Sequence, residues 1–190
     1  MSATDTATRL LDAAQLFVEE RGFNAFSYHD LAAEVGIRTA SIHYHFRAKA
    51  DLGQALMERY LRQLDEALAE IDRVGRTSEA RLKKFIGLYR ETGSRGAICL
   101  CGSLASDVET LPESVQAAVR TYLERSERWV ATTIEEGARS GELAPSGKPA
   151  DVAATLVASL QGGLILGRAR GGATLLDHVQ RTFLASLRPS

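Results

Sequence analysis

Cysteine is nearly absent from this chain of 190 residues: two occur, Cys99 and Cys101. A pair separated by one residue cannot staple distant segments, so no disulfide framework is expected. There are only four prolines and one tryptophan, and there is no low-complexity run; with 25% charged residues this excludes a disordered chain. No apolar stretch is expected to reach the roughly 18 residues that a membrane span needs. Residues 1–6 carry neither a basic region nor a long apolar run, so nothing indicates secretion and the expected setting is a soluble protein of the cytoplasm. A strong charge of one sign is missing too. The 23 Lys and Arg stand against 24 Asp and Glu, a net charge of −1, so any binding of nucleic acid has to rest on a local patch. What is present is a 45% hydrophobic share, enough for a core, in a length that suits one ordinary domain plus a small one.

Apolar residues recur at helical spacing and nowhere alternate as in a strand, so the fold class read from the sequence is all-α, with about nine helices. A first helix over 5–21 places Leu10, Ala14, Phe17 and Val18 on one face and ends at Gly22. Ser27-Tyr28-His29-Asp30 has the Ser-x-x-acid form of a helix start, and Leu31, Ala32 and Val35 give it a short apolar stripe. Gly36 then supplies a tight turn, and Thr39 is the expected N-cap of a third helix ending near Phe46. Two short helices joined by a glycine turn form a helix-turn-helix. Further helices are expected over 49–74, 78–91, 100–109, 112–139, 150–170 and 174–187, with loops at 92–96 and 141–149.

On the third helix, a step of about 100° per residue puts Ile42 and Phe46 inward and Ala40, Ser41, His43 and Tyr44 outward. These small and polar groups suit a major groove. Arg38, Arg47 and Lys49 flank them, and no acid lies between Gly36 and Ala50. His43 and His45 are two apart on a helix and diverge, so no metal site is expected.

The run from Phe26 to Leu52, Phe-Ser-Tyr-His-Asp-Leu-Ala-Ala-Glu-Val-Gly-Ile-Arg-Thr-Ala-Ser-Ile-His-Tyr-His-Phe-Arg-Ala-Lys-Ala-Asp-Leu, resembles the DNA-binding signature of the TetR family; its most specific part is Tyr-His-Phe-x-x-Lys-x-x-Leu. The resemblance implies that Ser27, Tyr28, Tyr44 and Lys49 hold phosphates and that Arg38, Thr39, Ser41 and His43 lie near base edges, with Ala40 and His45 in the same interface. His43 stands where the family most often has Tyr, and Tyr28 where Thr or Ser is common. The domain division this implies is a DNA-binding domain over 1–52 and a ligand-sensing and dimerisation domain over 53–190.

The second part of the chain has no nucleophile elbow, phosphate loop or metal-protease motif, and no cofactor is expected. A small helical enzyme using a thiol is the alternative to a sensor, and a purely architectural DNA-binding protein would not need so long a remainder. The stretch from Cys99 to Glu109 resembles a TetR subgroup that answers to electrophiles such as N-ethylmaleimide, and relatives responding to acrylate-like compounds, with Cys99 on the aligned cysteine. If a thiol senses, Cys99 rather than Cys101 is expected to do so, with Arg95 four residues before it as a source of positive charge. A pocket is expected to draw on Phe85, Tyr89, Leu104, Tyr122, Trp129 and Thr133, though aromatics at such spacing also build cores. Gly163, Gly167 and Gly171, four apart, invite close approach of another helix, either within the subunit or across a dimer. By resemblance the last two helices form a four-helix dimer interface. The mechanism read from this is release of operator DNA when a small-molecule inducer selects a conformer with wrongly spaced recognition helices.

Overall fold

The computed structural model describes residues 3–172 and 174–189. Among them all regular structure is helical: α1 (Ala3–Arg21), α2 (Tyr28–Val35), α3 (Thr39–His45), α4 (Lys49–Val74), α5 (Ser78–Ser94), α6 (Leu100–Ser106), α7 (Glu113–Arg139), α8 (Pro149–Ala169) and α9 (Thr174–Ser186). Short 3₁₀ turns occupy Phe23–Ala25 and Val108–Thr110. The chain divides into two compact units, one of residues 1–63 with 100–121 and one of residues 64–99 with 122–190.

In the first unit α1 buries Leu10, Ala14, Phe17 and Val18, the stripe that its spacing foretold, and Ala13 beside them. Phe17 and Phe23 both meet the ring of Phe26, at 5.4 and 6.1 Å between centroids, and so seat the chain entering α2. Ser27 caps α2: its hydroxyl accepts from the Asp30 N–H while the Asp30 carboxylate accepts from the Ser27 N–H at 2.7 Å. The Ser27 hydroxyl also donates to that carboxylate at 2.6 Å, and this bond, with the one from the Ser27 N–H, holds the Asp30 carboxyl below the usual carboxylate range. Gly36 ends α2 at φ 72°, a left-handed conformation that glycine adopts without strain. The Arg9 guanidinium donates to the Val35 carbonyl at 2.6 Å, tying α1 to the same turn. The cap of α3 is Arg38, not Thr39. Arg38 has the extended backbone of a cap (φ −80°, ψ 143°) and its carbonyl accepts from the Ser41 N–H at 2.8 Å, so Thr39 is already the first helical residue. From α4, Arg59 reaches the Asp12 carboxylate (2.6 Å), the Leu11 carbonyl (3.0 Å) and Gln15 (2.8 Å), locking α4 to α1. The Ser103 hydroxyl of α6 donates to the Val18 carbonyl at 2.8 Å, which fastens α6 to α1 as well.

In the second unit α5 runs to Ser94 rather than ending at 91, because Thr92 fits the last turn by donating its hydroxyl to the Leu88 carbonyl, and only Gly96 (φ 70°) turns the chain. The expected helix over 100–109 is split, α6 ending at Ser106 before the 3₁₀ turn. One further expectation needs correcting. By length and composition α8, with a mean hydropathy of 1.4, is long and apolar enough to cross a membrane, since the Ala and Gly between its leucines do not break the run. It buries Leu156, Val157, Leu160 and Leu164 and packs beside α5 and α9. A Cβ at Gly163 would lie 2.7 Å from Leu176 of α9, so that glycine serves close approach within the chain, while Gly171 (φ 76°) lies beyond the end of α8.

The start of α5 receives two caps. Thr77 accepts from the Ala80 N–H, and the Glu142 carboxylate accepts from the N–H of Ser78 (2.9 Å) and of Glu79 (2.8 Å). Burial alone would push the Glu142 carboxyl up; the bonds from Glu79, Ser78 and Thr77, with the Arg81 charge, outweigh it and hold it below the usual carboxylate range. A depressed folded-state value contributes stability that is present above the unfolded-state value and is lost as pH falls through the folded one. Glu142→Gln is therefore expected to cost about 1–3 kcal/mol at neutral pH and to flatten the loss of stability on the acid side of that value. Urea titrations of both proteins across this range check it.

Candidate nucleic-acid interface and ligand site

The α3 helix is buried on one side and bare on the other. Ile42 is fully buried and Phe46 nearly so, whereas Ala40, Ser41, His43 and Tyr44 are exposed, Tyr44 at 80%. Arg38 and Arg47 are exposed at its two ends; Thr39 and His45 are half-buried. The Tyr44 and His45 rings meet edge-on at 5.2 Å. Of the four residues that resemblance assigned to phosphates, Tyr44 is free to reach outward, while Ser27, Tyr28 and Lys49 are engaged by partners within the protein. Ser27 is the α2 cap, and Tyr28 donates its hydroxyl to the Phe46 carbonyl at 3.1 Å. Burial, then the Asp51 charge, pushes the Tyr28 phenol up to about 12. The Lys49 ammonium donates to the Phe26 carbonyl and lies 4.2 and 4.9 Å from the ring centroids of Phe26 and Phe23. Burial lowers its pKa against the pull of Asp30. These three side chains brace α2, α3 and the start of α4 into one platform.

The candidate ligand residues fall in both units. Cys101 and Leu104 are fully buried in the first, where Cys101 Sγ lies 3.7 Å from the Val119 carbonyl. Cys99, Phe85, Tyr89, Tyr122, Trp129 and Thr133 belong to the second. Of these, Phe85 stacks on Trp129 at 5.4 Å and meets Tyr89 at 5.5 Å; Trp129 donates its indole N–H to Asp72 at 3.1 Å and Thr133 its hydroxyl to the Trp129 carbonyl. Cys99 is 3% exposed. Two further polar groups of this unit escaped the sequence reading: Ser126 Oγ on α7, and both amide atoms of Gln161 on α8, are buried without a hydrogen-bond partner among the described residues. Periodicity assigns such residues to the core and is blind to unpaired atoms. A cleft of about 300 Å³ lies between the end of α5 and the α8–α9 turn, lined by Gly93, Gly96, Gly167, Arg168 and Leu176 among others.

Residues 10–56 match the family described as bacterial regulatory proteins, tetR family, and residues 78–183, more than half of the chain, match the tetracyclin repressor-like C-terminal domain. The chain belongs to the TetR family. The TetR fold is borne out along nearly its whole length by a crystal structure of a TetR-family regulator from Agrobacterium tumefaciens, with TM-score 0.95 and 29% identity over 99% of this chain and 100% of that one. The transcriptional regulator AcuR of Cereibacter sphaeroides is 27% identical over 182 residues, 92% of this chain and 81% of that protein. The transcriptional repressor NemR of Escherichia coli is 24% identical over 160 residues, 81% of this chain and 79% of that protein. This TetR member is a ligand-responsive transcriptional repressor with an N-terminal helix-turn-helix and a larger helical C-terminal part. The relatives named are regulators, not enzymes.

Proposed function

We propose that the protein binds a palindromic operator as a homodimer, with α3 in the major groove, and releases it on binding a small molecule in the sensing part, residues 53–190. The observation that carries the DNA reading is the exposed, acid-free face of α3 with its flanking arginines. Arg38, Thr39, Ala40, Ser41 and His43 meet base edges; Ser27, Tyr28, Tyr44, His45 and Lys49 position the backbone. The domain over 1–52 is the reading head. The protein works in the cytoplasm, where its operator lies.

Dimerisation is assigned to α8 and α9. In support, α8 exposes Ala154, Ala158, Ile165 (45%) and Leu166 (51%) along one side, and the half-buried Val179 and Phe183 extend this apolar surface onto α9. The inducer is assigned to the second unit, to Phe85, Tyr89, Tyr122, Trp129 and Thr133 with Cys99; Cys101 and Leu104, the other expected contacts, belong to the first. The resemblance of the 99–109 stretch favours an electrophile captured by Cys99. The burial of both thiols favours a second reading, a noncovalent ligand whose polar part satisfies Ser126 or Gln161.

Selection from random DNA with the purified protein tests the first part. A palindrome with half-site centres about 34–36 Å apart, or a multiple, is expected, with a dimer by light scattering. A monomer that selects no palindrome would sink the proposal. Lys49→Ala is expected to weaken binding to all sequences alike and to lower the salt slope of the dimer by about 2, about 1 for each subunit's lysine; a change in sequence preference at unchanged slope would reverse the role given to Lys49.

A further inference from the structure

Resting on the DNA reading above, one side chain of the α3 face is held so that its chemistry is fixed. His43 Nδ1 lies 3.1 Å from the backbone carbonyl oxygen of Arg47. The ring meets that of Tyr28 edge-on, 5.1 Å between centroids at 63°. A carbonyl oxygen only accepts, so this contact requires the proton on Nδ1. A neutral imidazole carries one N–H, and Nε2 is therefore left as a lone pair. Tyr28 does not compete for it, because the Tyr28 hydroxyl is already donated to the Phe46 carbonyl. His43 is exposed, and Nε2 has no partner among the described residues.

The geometry points to His43 as an acceptor-type specificity residue: Nε2 takes a hydrogen bond from the exocyclic amino group on the major-groove edge of one base, the N6 amino of adenine or the N4 amino of cytosine. Guanine offers only O6 and N7 there, and thymine O4 and a methyl group, so neither can donate to Nε2. A tyrosine at this position carries a hydroxyl that both donates and accepts, and cannot discriminate in this way. The Arg47 carbonyl thus acts on base choice without touching DNA, by fixing which nitrogen holds the proton.

Two measurements test this, one of them without DNA. Nitrogen-15 NMR of the free protein at mildly alkaline pH is expected to show His43 with Nδ1 protonated and Nε2 bare; the opposite tautomer would overturn the assignment. Site selection with the wild type, His43→Ala and His43→Tyr, each checked for folding by circular dichroism, then locates the base position whose preference depends on His43. The wild type is expected to require one base pair there, whose adenine or cytosine presents the amino group, and both variants to relax the requirement. Replacing that base by its analogue without the amino group, purine for adenine or 2-pyrimidinone for cytosine, is expected to weaken wild-type binding roughly three- to tenfold and to leave His43→Ala unaffected. Indifference to the lost amino group, or no His43-dependent position, would overturn the acceptor role while the operator is still bound. Failure of the wild type to select any sequence would overturn the DNA reading, and this assignment with it.

Discussion

Phe85→Ala is expected to cost about 3–5 kcal/mol of folding free energy, a large share of the roughly 5–15 kcal/mol that holds a domain together. The side chain is fully buried, stacks on Trp129 at an interplanar angle of 26° and touches Tyr89, so truncation opens a void walled by rings that are themselves fixed. Trp129 is tied to Asp72 and cannot swing in to fill it. The experiment also decides a functional question, because Phe85 is both a core residue by packing and a proposed inducer contact. If its ring borders a space reserved for a ligand, truncation changes inducer affinity as well as stability. Urea unfolding of the variant, read beside inducer-driven operator release, separates the two.

The second large effect is expected from a residue with no side chain. Gly137 is buried near the end of α7, and a Cβ there would stand 2.5 Å from Leu143 Cδ1 and 2.8 Å from Ser78 Cβ. Leu143 and Ser78 are both buried, and Ser78 is held by the bond from its N–H to Glu142. Gly137→Ala gains about 1 kcal/mol in helix propensity but forces this junction apart, and a net loss of about 1–3 kcal/mol is expected. The control is Gly87→Ala on α5, where nothing lies within 4 Å of the added carbon and a gain of about 0.5–1 kcal/mol is expected. If thermal unfolding shows both variants stabilised, the junction is more yielding than its contacts imply.

These glycines mark the limit of what the sequence discloses. The stripe of Gly163, Gly167 and Gly171 was visible because it repeats, and Gly163 does meet another helix closely, whereas Gly137 is solitary and its partners lie far along the chain. Local signals are legible: the Ser27 cap, the left-handed Gly36 and the bounds of α4 follow from neighbouring residues. The inward side of α3 was equally legible, since about 3.6 residues per turn determine which groups share a face. Lys49 was read from resemblance as a phosphate contact; that it lies against Phe23 and Phe26 depends on rings 23 to 26 positions away, which no local pattern encodes. The same holds for Arg59 gripping α1 and for the unpaired atoms of Ser126 and Gln161. The ligand residues were the least legible, because an apolar helix face looks the same whether it meets another helix or a guest molecule.

Each unit is made of two separate stretches of chain, so the polypeptide passes from one to the other at 63/64, 99/100 and 121/122. No single cut divides them. During synthesis α1 has to wait for Ser103 before its Val18 carbonyl gains its buried partner, and the unit bearing α3 is incomplete until residue 121 has been made. A fragment ending at residue 63 would therefore leave the apolar face of α1 uncovered where α6 belongs, and the interleaved stretches make it costly for one unit to melt while the other stays folded. Heating is expected to give a single cooperative transition rather than two steps.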